Sequence, residues 1–429
     1  MRKHFAKVCL LLIFGLVLTA CSVDESSGDG KVEIEFWYGL GSEADIKMKE
    51  IISDFNDEHD DIKVTAVPQA DYDETYQKLQ AAIASDTAPG VFISEITPLT
   101  DLAKKDAIQP LDSYVEEDEI YDENDFLKVL LEPGEVNDSL YALPGYGTTQ
   151  VMYYRKDIYE DVGIDPEEAY STWENLADAS KALQDSGEVD YGHLPMWDEG
   201  NLIDIALSNG GSILNDDETE LLIDSSEWIE AWEFIRKQVH EDETMKINSG
   251  GQGWEYWYKT IDQVMNGSAA GYTGSSGDKG DLDFDITDSL PQPGLNGNEG
   301  KPQVSGLYLA IPKGISDEEK DAAYKWISYF TSSEVNADWS KTIGYVPVRE
   351  STTEEEAYAD FVEKNPYGNV PYEQAQNATP EFVDPTGGKI LDALSIAADQ
   401  VEIENIPAEE ALKKAKEDAQ KALDDVNNE

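Results

Sequence analysis

"KVEIEFWYG" at residues 31–39 alternates charged with apolar side chains, the period of a half-buried strand. The next stretch, "EADIKMKEIISDFNDEH" (43–59), changes period: Ile46, Ile51, Ile52 and Phe55 fall at helical spacing. A second strand follows in "IKVTAVP" (62–68). Then "YDETYQKLQAAIASDTAPGVFIS" (72–94) reads as a helix with Leu79, Ala82 and Ile83 on one face, a Pro-Gly break, and a third strand at 91–93. Strand, helix, strand, helix, strand predicts an α/β fold with parallel pairing. Ligands of such sheets sit outside the carboxyl ends of the strands, which directs attention to Trp37, Tyr38 and Glu95.

Outward from this core, 429 residues with 40% apolar side chains exceed one average domain and predict two lobes. The first residues read as an export signal: Arg2, Lys3 and Lys7 precede an apolar run, 8–18, that is too short to span a bilayer. Its end, Leu18, Thr19, Ala20, Cys21, resembles the lipobox of bacterial lipoproteins, which implies cleavage after residue 20 and a lipid on Cys21. Cys9 leaves with the signal, so Cys21 is the one thiol of the mature chain and has no disulfide partner. Polar residues 22–30 then read as a tether, and the folded part begins near Lys31. Removing three basic residues with the signal takes the formal charge from -59 to -62. That excess argues against nucleic acid and against adsorption on anionic headgroups. Acid runs such as "EDEIYDENDF" (117–126) read as solvated helix faces.

Sites for chemistry are weak. His59, His193 and His240 lack metal-ligand spacing. "DLDFDITD" (281–288) lacks the glycine and the twelfth-position acid of a calcium loop, having Ile286 and Gln292 there, and reads as an edge strand. "GYTGSSGDKG" (271–280) lacks the lysine-serine ending of a nucleotide loop. Among 90 acids, carboxylate pairs spaced for glycoside hydrolysis arise by chance.

Aromatic residues say more. Trp228, Trp232 and Trp326 sit at helical spacing and read as core, with Trp173 and Trp339 as packing residues. Trp37, Trp197, Trp254 and Trp257 fall beside Gly, Asp and Asn, as do Tyr146 and Tyr345. Aromatic planes flanked by polar groups suit a sugar ring, whose apolar face stacks while its hydroxyls hydrogen-bond.

Longer segments resemble a known family. "FNDEHDDIKV", "YDETYQKLQAAIASDTAP", "YALPGYGTTQVMYYRKDIYEDVGIDPEEAYSTWENLADASKAL", "GSAAGYTGSSGD", "VSGLYLAIPKG", "AAYKWISYFTSSEVNADWSKTIGYVPVRES" and "PAEEALKKAKEDAQKAL" follow in order the pattern of family 1 extracellular solute-binding proteins, the receptor lipoproteins of ABC importers. The family usually has aspartate where Gly90 stands and asparagine where Arg155 stands. The resemblance implies two α/β lobes, each discontinuous: 32–145 with 303–345, and 146–302 with 346–429. Their crossings fall near "LPGYGTT", "LPQPGLNGNEGKPQ" and "GYVPVR", rich in the Gly and Pro that mark breaks.

By the same resemblance Tyr72, Glu95, Thr148, Trp197, Trp254, Thr273, Tyr308 and Tyr345 match cleft positions, and Glu95 and Asp198 accept hydrogen bonds from hydroxyls; Arg349 closes the last crossing, where it either reaches the cleft or, as a basic residue there often does in the family, only pins the hinge. The implied protein is no enzyme and needs no cofactor or metal. It is a monomer held by its lipid on the outer face of the cell membrane, capturing a mono- or oligosaccharide for ABC permease subunits. Two alternatives stand beside this: a glycerol-3-phosphate or glycerophosphodiester receptor, suggested by "FISEITP" and "WYKTID", and a secreted carbohydrate-active enzyme. A phosphate calls for bidentate donors, and the mature chain has only Arg155, Arg236 and Arg349.

Overall fold

The computed structural model describes residues 31–428. The expected signal peptide, Cys21 and the tether up to residue 30 lie outside them. The strands are β1 (Val32–Tyr38), β2 (Ile62–Pro68), β3 (Val91–Ser94), β4 (Glu135–Val136), β5 (Ser139–Leu140), β6 (Ala142–Arg155), β7 (Gly271–Ser275), β8 (Thr287–Leu290), β9 (Gln303–Ala310) and β10 (Thr379–Pro380). The main sheet runs β2-β1-β3-β9-β6-β7, with β8 also on β6 and β10 on β9. β1 pairs in parallel with β2 and β3, as the opening segment predicts. Beyond β3 the pairing turns antiparallel through β9, β6 and β7.

Helix Ser42–Glu58 buries Lys47, Met48, Ile51, Ile52 and Phe55, whereas Ile46 is 59% exposed. Positions 48, 51, 52 and 55 set the inward stripe and turn Ile46 to the opposite flank. Buried Lys47 keeps its charge by pairing with Glu50 and Asp338. Helix Tyr72–Ala84 starts at Asp71, whose carboxylate accepts the N–H of Glu74 at 2.7 Å.

Two large apolar clusters divide the molecule. The first gathers Ile34, Phe36, Met48, Phe55, Trp326, Trp339, Val346, Val348 and Ala375. The second gathers Met152, Trp173, Leu202, Trp228, Trp232, Leu394 and Leu412. All five tryptophans expected in the core are fully buried. β6 belongs to both bodies: its 142–149 half pairs with β9 and gives Tyr146 to the first cluster, and its 150–155 half pairs with β7 and β8 and gives Met152 to the second. The "LPGYGTT" crossing is therefore a continuous strand with a register shift between Pro144 and Tyr146. Gly147 exchanges both backbone hydrogen bonds with Val346, at 3.0 and 2.7 Å, so the first and last crossings run side by side.

Both departures from the family pattern have local reasons. A Cβ on Gly90 would lie 2.6 Å from that of Ile34, so β1 and β3 approach too closely for a side chain there. Arg155 spans Asp157 through Nε and Nη2 at 2.8 and 2.7 Å, and its Nη1 donates to the carbonyls of Val264 and Met265. "DLDFDITD" is mostly not a strand; β8 starts only at Thr287, after a turn closed by Asp283.

Candidate ligand cleft

Where the two bodies meet lies an open cavity of about 770 Å³. Leu40, Ser42, Asp71 and Asp73 line one side; Trp254, Glu255 and Tyr258 line the other. The β1 end reaches this place because Gly39 has no side chain: a Cβ would stand 2.1 Å from the carbonyl carbon of Asp71. Opposite, the loop before helix Glu255–Met265 turns through Gly253 at φ +53, close against the carbonyl of Ala70. Two hydrogen bonds then cross between the bodies, from Trp254 Nε1 to the Gly39 carbonyl (3.3 Å) and from the Ser42 N–H to Tyr258 Oη (2.7 Å).

An aromatic chain runs through the same region. Tyr72 meets Trp254 edge-on at 5.9 Å, Trp254 lies 6.5 Å from Tyr256, and Tyr256 meets Trp197 edge-on at 4.8 Å. Trp197 is held by its indole N–H donating to Asp399 at 2.8 Å. All four rings are only partly buried, leaving faces open.

Carboxylates converge on these rings. Glu95 follows β3 at the N-terminal end of helix Ile96–Lys104, without a side-chain bond to the helix amides, and its residue is exposed while its carboxyl lies against the protein. This desolvation, then the charges of Asp73, Glu199 and Asp71, pushes its carboxyl up to about 7. Asp198 caps helix Glu199–Leu207, accepting the Gly200 N–H at 2.6 Å, and holds φ +133, a strained value for a residue with a Cβ. Desolvation raises both Asp198 and Glu199, and each feels the other's neighbours: Glu95 and Asp73 act on Asp198, Asp198 and Asp73 on Glu199. Glu381, beside β9, accepts the Gly306 N–H at 3.3 Å and is pushed up to about 8 by desolvation and by Glu95.

The residues singled out from the sequence divide accordingly. Trp254 lines the cavity itself, Tyr72 meets it edge-on and Trp197 joins through Tyr256, with Asp198 next to Trp197 in the chain and Glu95 acting on both Tyr72 and Asp198. Tyr146 and Tyr345 form a stack behind it, 4.4 Å apart, with Tyr146 meeting the Tyr72 hydroxyl at 2.9 Å. Trp257 donates to buried Asp278 at 2.7 Å, and Thr148 meets Ser275 at 2.7 Å. The others turn elsewhere. Tyr38 is fully buried on Asp45, and Trp37 packs beside the Leu79–Phe92 cluster with its N–H on Glu35. Thr273 is buried against His193 and Met152, and Tyr308 donates to the Leu130 carbonyl from inside the sheet. Arg349 is buried on Asp125 and the Thr331 carbonyl, with its guanidinium 4.1 Å from the Phe126 ring centre. Alternation along a strand tells which residues share a face, not which face a second layer will cover.

Asp71, Asp73, Glu199, Tyr256 and Glu381 were not singled out. Asp71 carried one signal, its place as a helix cap beside Tyr72; the others carried none above the background of acids.

Known proteins share this architecture. The GacH receptor of Streptomyces glaucescens, solved unliganded and with acarbose, superposes with a TM-score of 0.82 at 17% identity, covering 92% of this chain and 99% of that one. UgpB from Mycobacterium tuberculosis in complex with glycerophosphocholine superposes at 0.81 with 21% identity and the same coverage. In sequence, the sn-glycerol-3-phosphate-binding periplasmic protein UgpB of Escherichia coli O6:K15:H31 is 24% identical over 399 residues, 86% of this chain and 85% of its own length. Residues 50–366, nearly three quarters of the chain, match the pattern of one family, and with the fold and cleft in place the protein belongs to the bacterial extracellular solute-binding proteins.

Proposed function

We propose that this protein captures a carbohydrate between its two bodies and delivers it to the permease subunits of an ABC importer, tethered by a lipid on Cys21. The observation that carries the reading is the aromatic chain Tyr72, Trp254, Tyr256, Trp197, which crosses from one body to the other among hydrogen-bonding carboxylates. Ring faces take the apolar side of a sugar, and the carboxylates accept its hydroxyls. Because groups of both bodies contribute, ligand favours the closed arrangement by its differential affinity for it. The protein acts as a receptor rather than an enzyme, and as a monomer.

Names of relatives favour a second reading, a glycerol-3-phosphate or glycerophosphodiester receptor. The chemistry of the cleft weighs against a dianionic phosphate. All three arginines among the described residues are committed elsewhere: Arg155 to Asp157, Arg349 to Asp125, and Arg236 to Glu233 and Asn405. The cleft itself is lined with acids. Calorimetry against neutral oligosaccharides and glycerol-3-phosphate tests the choice. Heat with an oligosaccharide and none with the phosphate ester is expected; the reverse overturns the sugar reading, and release of hydrolysis products overturns the receptor reading.

A further inference from the structure

Buried side chains tie together three stretches of chain that pass between the bodies. β6 changes partner between Thr149, which pairs with Val304 of β9, and Gln150, which pairs with Ser275 of β7. Residues 291–302 lead from β8 to β9. Helix Val370–Ala375 has its first residue packed on the cluster around Val151 and Tyr153, from the 150–155 half of β6, and its last in the core of the first body.

Gln374, in that helix, donates from Nε2 to Thr149 Oγ1 and to the Gln150 carbonyl, both at 2.7 Å, so it grips β6 on either side of the change. Its Oε1 accepts the Gln292 N–H at 2.7 Å. Gln292 Nε2 donates to Asp204 Oδ2 at 3.3 Å, and Asp204 Oδ1 accepts the Gln303 N–H at 2.8 Å. The Gln303 carbonyl accepts from Thr149 Oγ1 at 2.8 Å, which closes a ring. Thr149, Asp204 and Gln292 are 3% exposed and Gln374 8%, so water does not substitute for these bonds while the bodies stay as they are. None of the five residues lines the cavity.

Membership of the ring is divided. Thr149 and Gln303 belong to the sheet of the first body. Asp204 sits among Leu202, Ile203 and Ile205 of the second core, and Gln292 follows β8, which pairs with the second half of β6. Two links therefore cross: Asp204 to the Gln303 N–H, and Gln374 between Gln292 and Thr149. Rotating one body on the other about residues 149–150 changes both spans, and hydrogen bonds weaken steeply with distance and angle. The ring thus favours one hinge angle, at which the Ser42 to Tyr258 and Trp254 to Gly39 bonds also form. Two neighbours oppose it: Gln150 Oε1 and Gln292 Oε1 are buried with no donor among the described residues. Opening the hinge lets water reach them. Bonds made on closing and acceptors stranded on closing pull in opposite directions, which is what a two-state element requires.

We propose that the ring through Thr149, Gln303, Asp204, Gln292 and Gln374 is a lock on the hinge: its bonds hold the two bodies in contact, and the ring parts when the cleft opens. Gln374 and Gln150 are then positioning residues, which set ligand affinity from outside the cavity. Apparent affinity scales with the fraction of protein in the binding-competent arrangement. The effect on affinity rests on the capture reading above, whereas the lock itself does not.

The test is small-angle scattering of the whole ligand-free protein, with a melting curve to check the fold. Gln374→Met keeps the length of the side chain and removes its three bonds; the closed-to-open ratio is expected to fall about tenfold and the radius of gyration to rise. Gln150→Met removes a stranded oxygen and leaves every bond of the ring in place. Added to Gln374→Met, it is expected to bring the radius back toward that of the parent. A folded Gln374→Met with the parent's radius overturns the proposal, and so does an expanded Gln374→Met that Gln150→Met fails to contract. Should Gln374→Met not fold, Thr149→Val breaks the ring at a single atom and is expected to expand the protein in the same way; a folded Thr149→Val of unchanged radius overturns the lock. Calorimetry with neutral oligosaccharides adds a second arm, with affinity expected about tenfold weaker in Gln374→Met. Equal affinity in the expanded variant overturns control of affinity by the ring. Scattering as expected with no oligosaccharide bound by any form overturns capture and leaves the lock standing.

Discussion

The backbone N–H of Ser42 donates to the hydroxyl of Tyr258 at 2.7 Å, joining the first turn of a helix in one body to a helix of the other. It is one of several polar contacts that cross between the bodies, with Trp254 Nε1 on the Gly39 carbonyl and Lys279 Nζ on the Lys341 carbonyl among the others, and it reports on part of closure. In Tyr258→Phe the closed arrangement loses about 1 kcal/mol. Solution scattering should show a parent that contracts with ligand and a variant that needs several times more ligand to do so. Identical titrations would remove the contact from the closing mechanism.

Trp197, proposed as a stacking surface, donates its indole N–H to Asp399 at 2.8 Å. Trp197→Ala should weaken ligand binding about tenfold or more while leaving the melting temperature within a degree or two. Trp197→Phe, which keeps a ring but loses the tether, should fall between. Affinity losses that track losses of melting temperature would assign the ring to packing.

Arg349 predicts the opposite pattern. Its ion pair with Asp125 is buried, at 3.2 Å with the arginine side chain 5% exposed, and removal strands the carboxylate. Arg349→Ala should cost about 3 kcal/mol of stability with ligand affinity unchanged in protein that remains folded. Loss of affinity in folded protein would place the residue in ligand binding.

Glu95 and Glu381 predict how stability varies with pH. Their folded values, about 7 and about 8, lie above the ordinary 4.5, so the folded protein binds protons more readily than the unfolded chain. Stability from these groups is present below about pH 4.5 and is lost as pH rises through 7 to 8. The groups facing them are Asp71, Asp73 and Glu199 for Glu95, and Glu95, Ser305 and the Gly306 amide for Glu381. Thermal melts of Glu381→Gln should lose part of that decline, on the order of 1–2 °C at pH 8. A variant whose pH profile matches the parent's would show that Glu381 ionises normally.

The proposed anchor is the lipid on Cys21. Cys21→Ser should release the protein into the medium, because a polyacidic body has no affinity of its own for anionic headgroups. Fractionation that still finds the variant on membranes would overturn the lipid reading.

By itself the sequence determined the local order of this protein. Period two in 31–38 and period 3.6 in the following helix record burial on one face, and the physics of those faces needs no distant partner. The parallel start of the sheet, the five core tryptophans and the shortage of arginine were legible for that reason. What only tertiary structure decided was convergence. Ninety acids are spread along the chain, and nothing local marks Asp73 and Glu199, Glu199 and Glu402, or Glu95 and Glu381 as acting on one another from distant segments. Likewise Thr273, Tyr308 and Arg349 turned inward because second layers cover their faces, while Trp254 stayed partly open because the two bodies meet there without sealing. A side chain's direction follows from its own backbone, but its environment follows from which distant surfaces the fold brings over it.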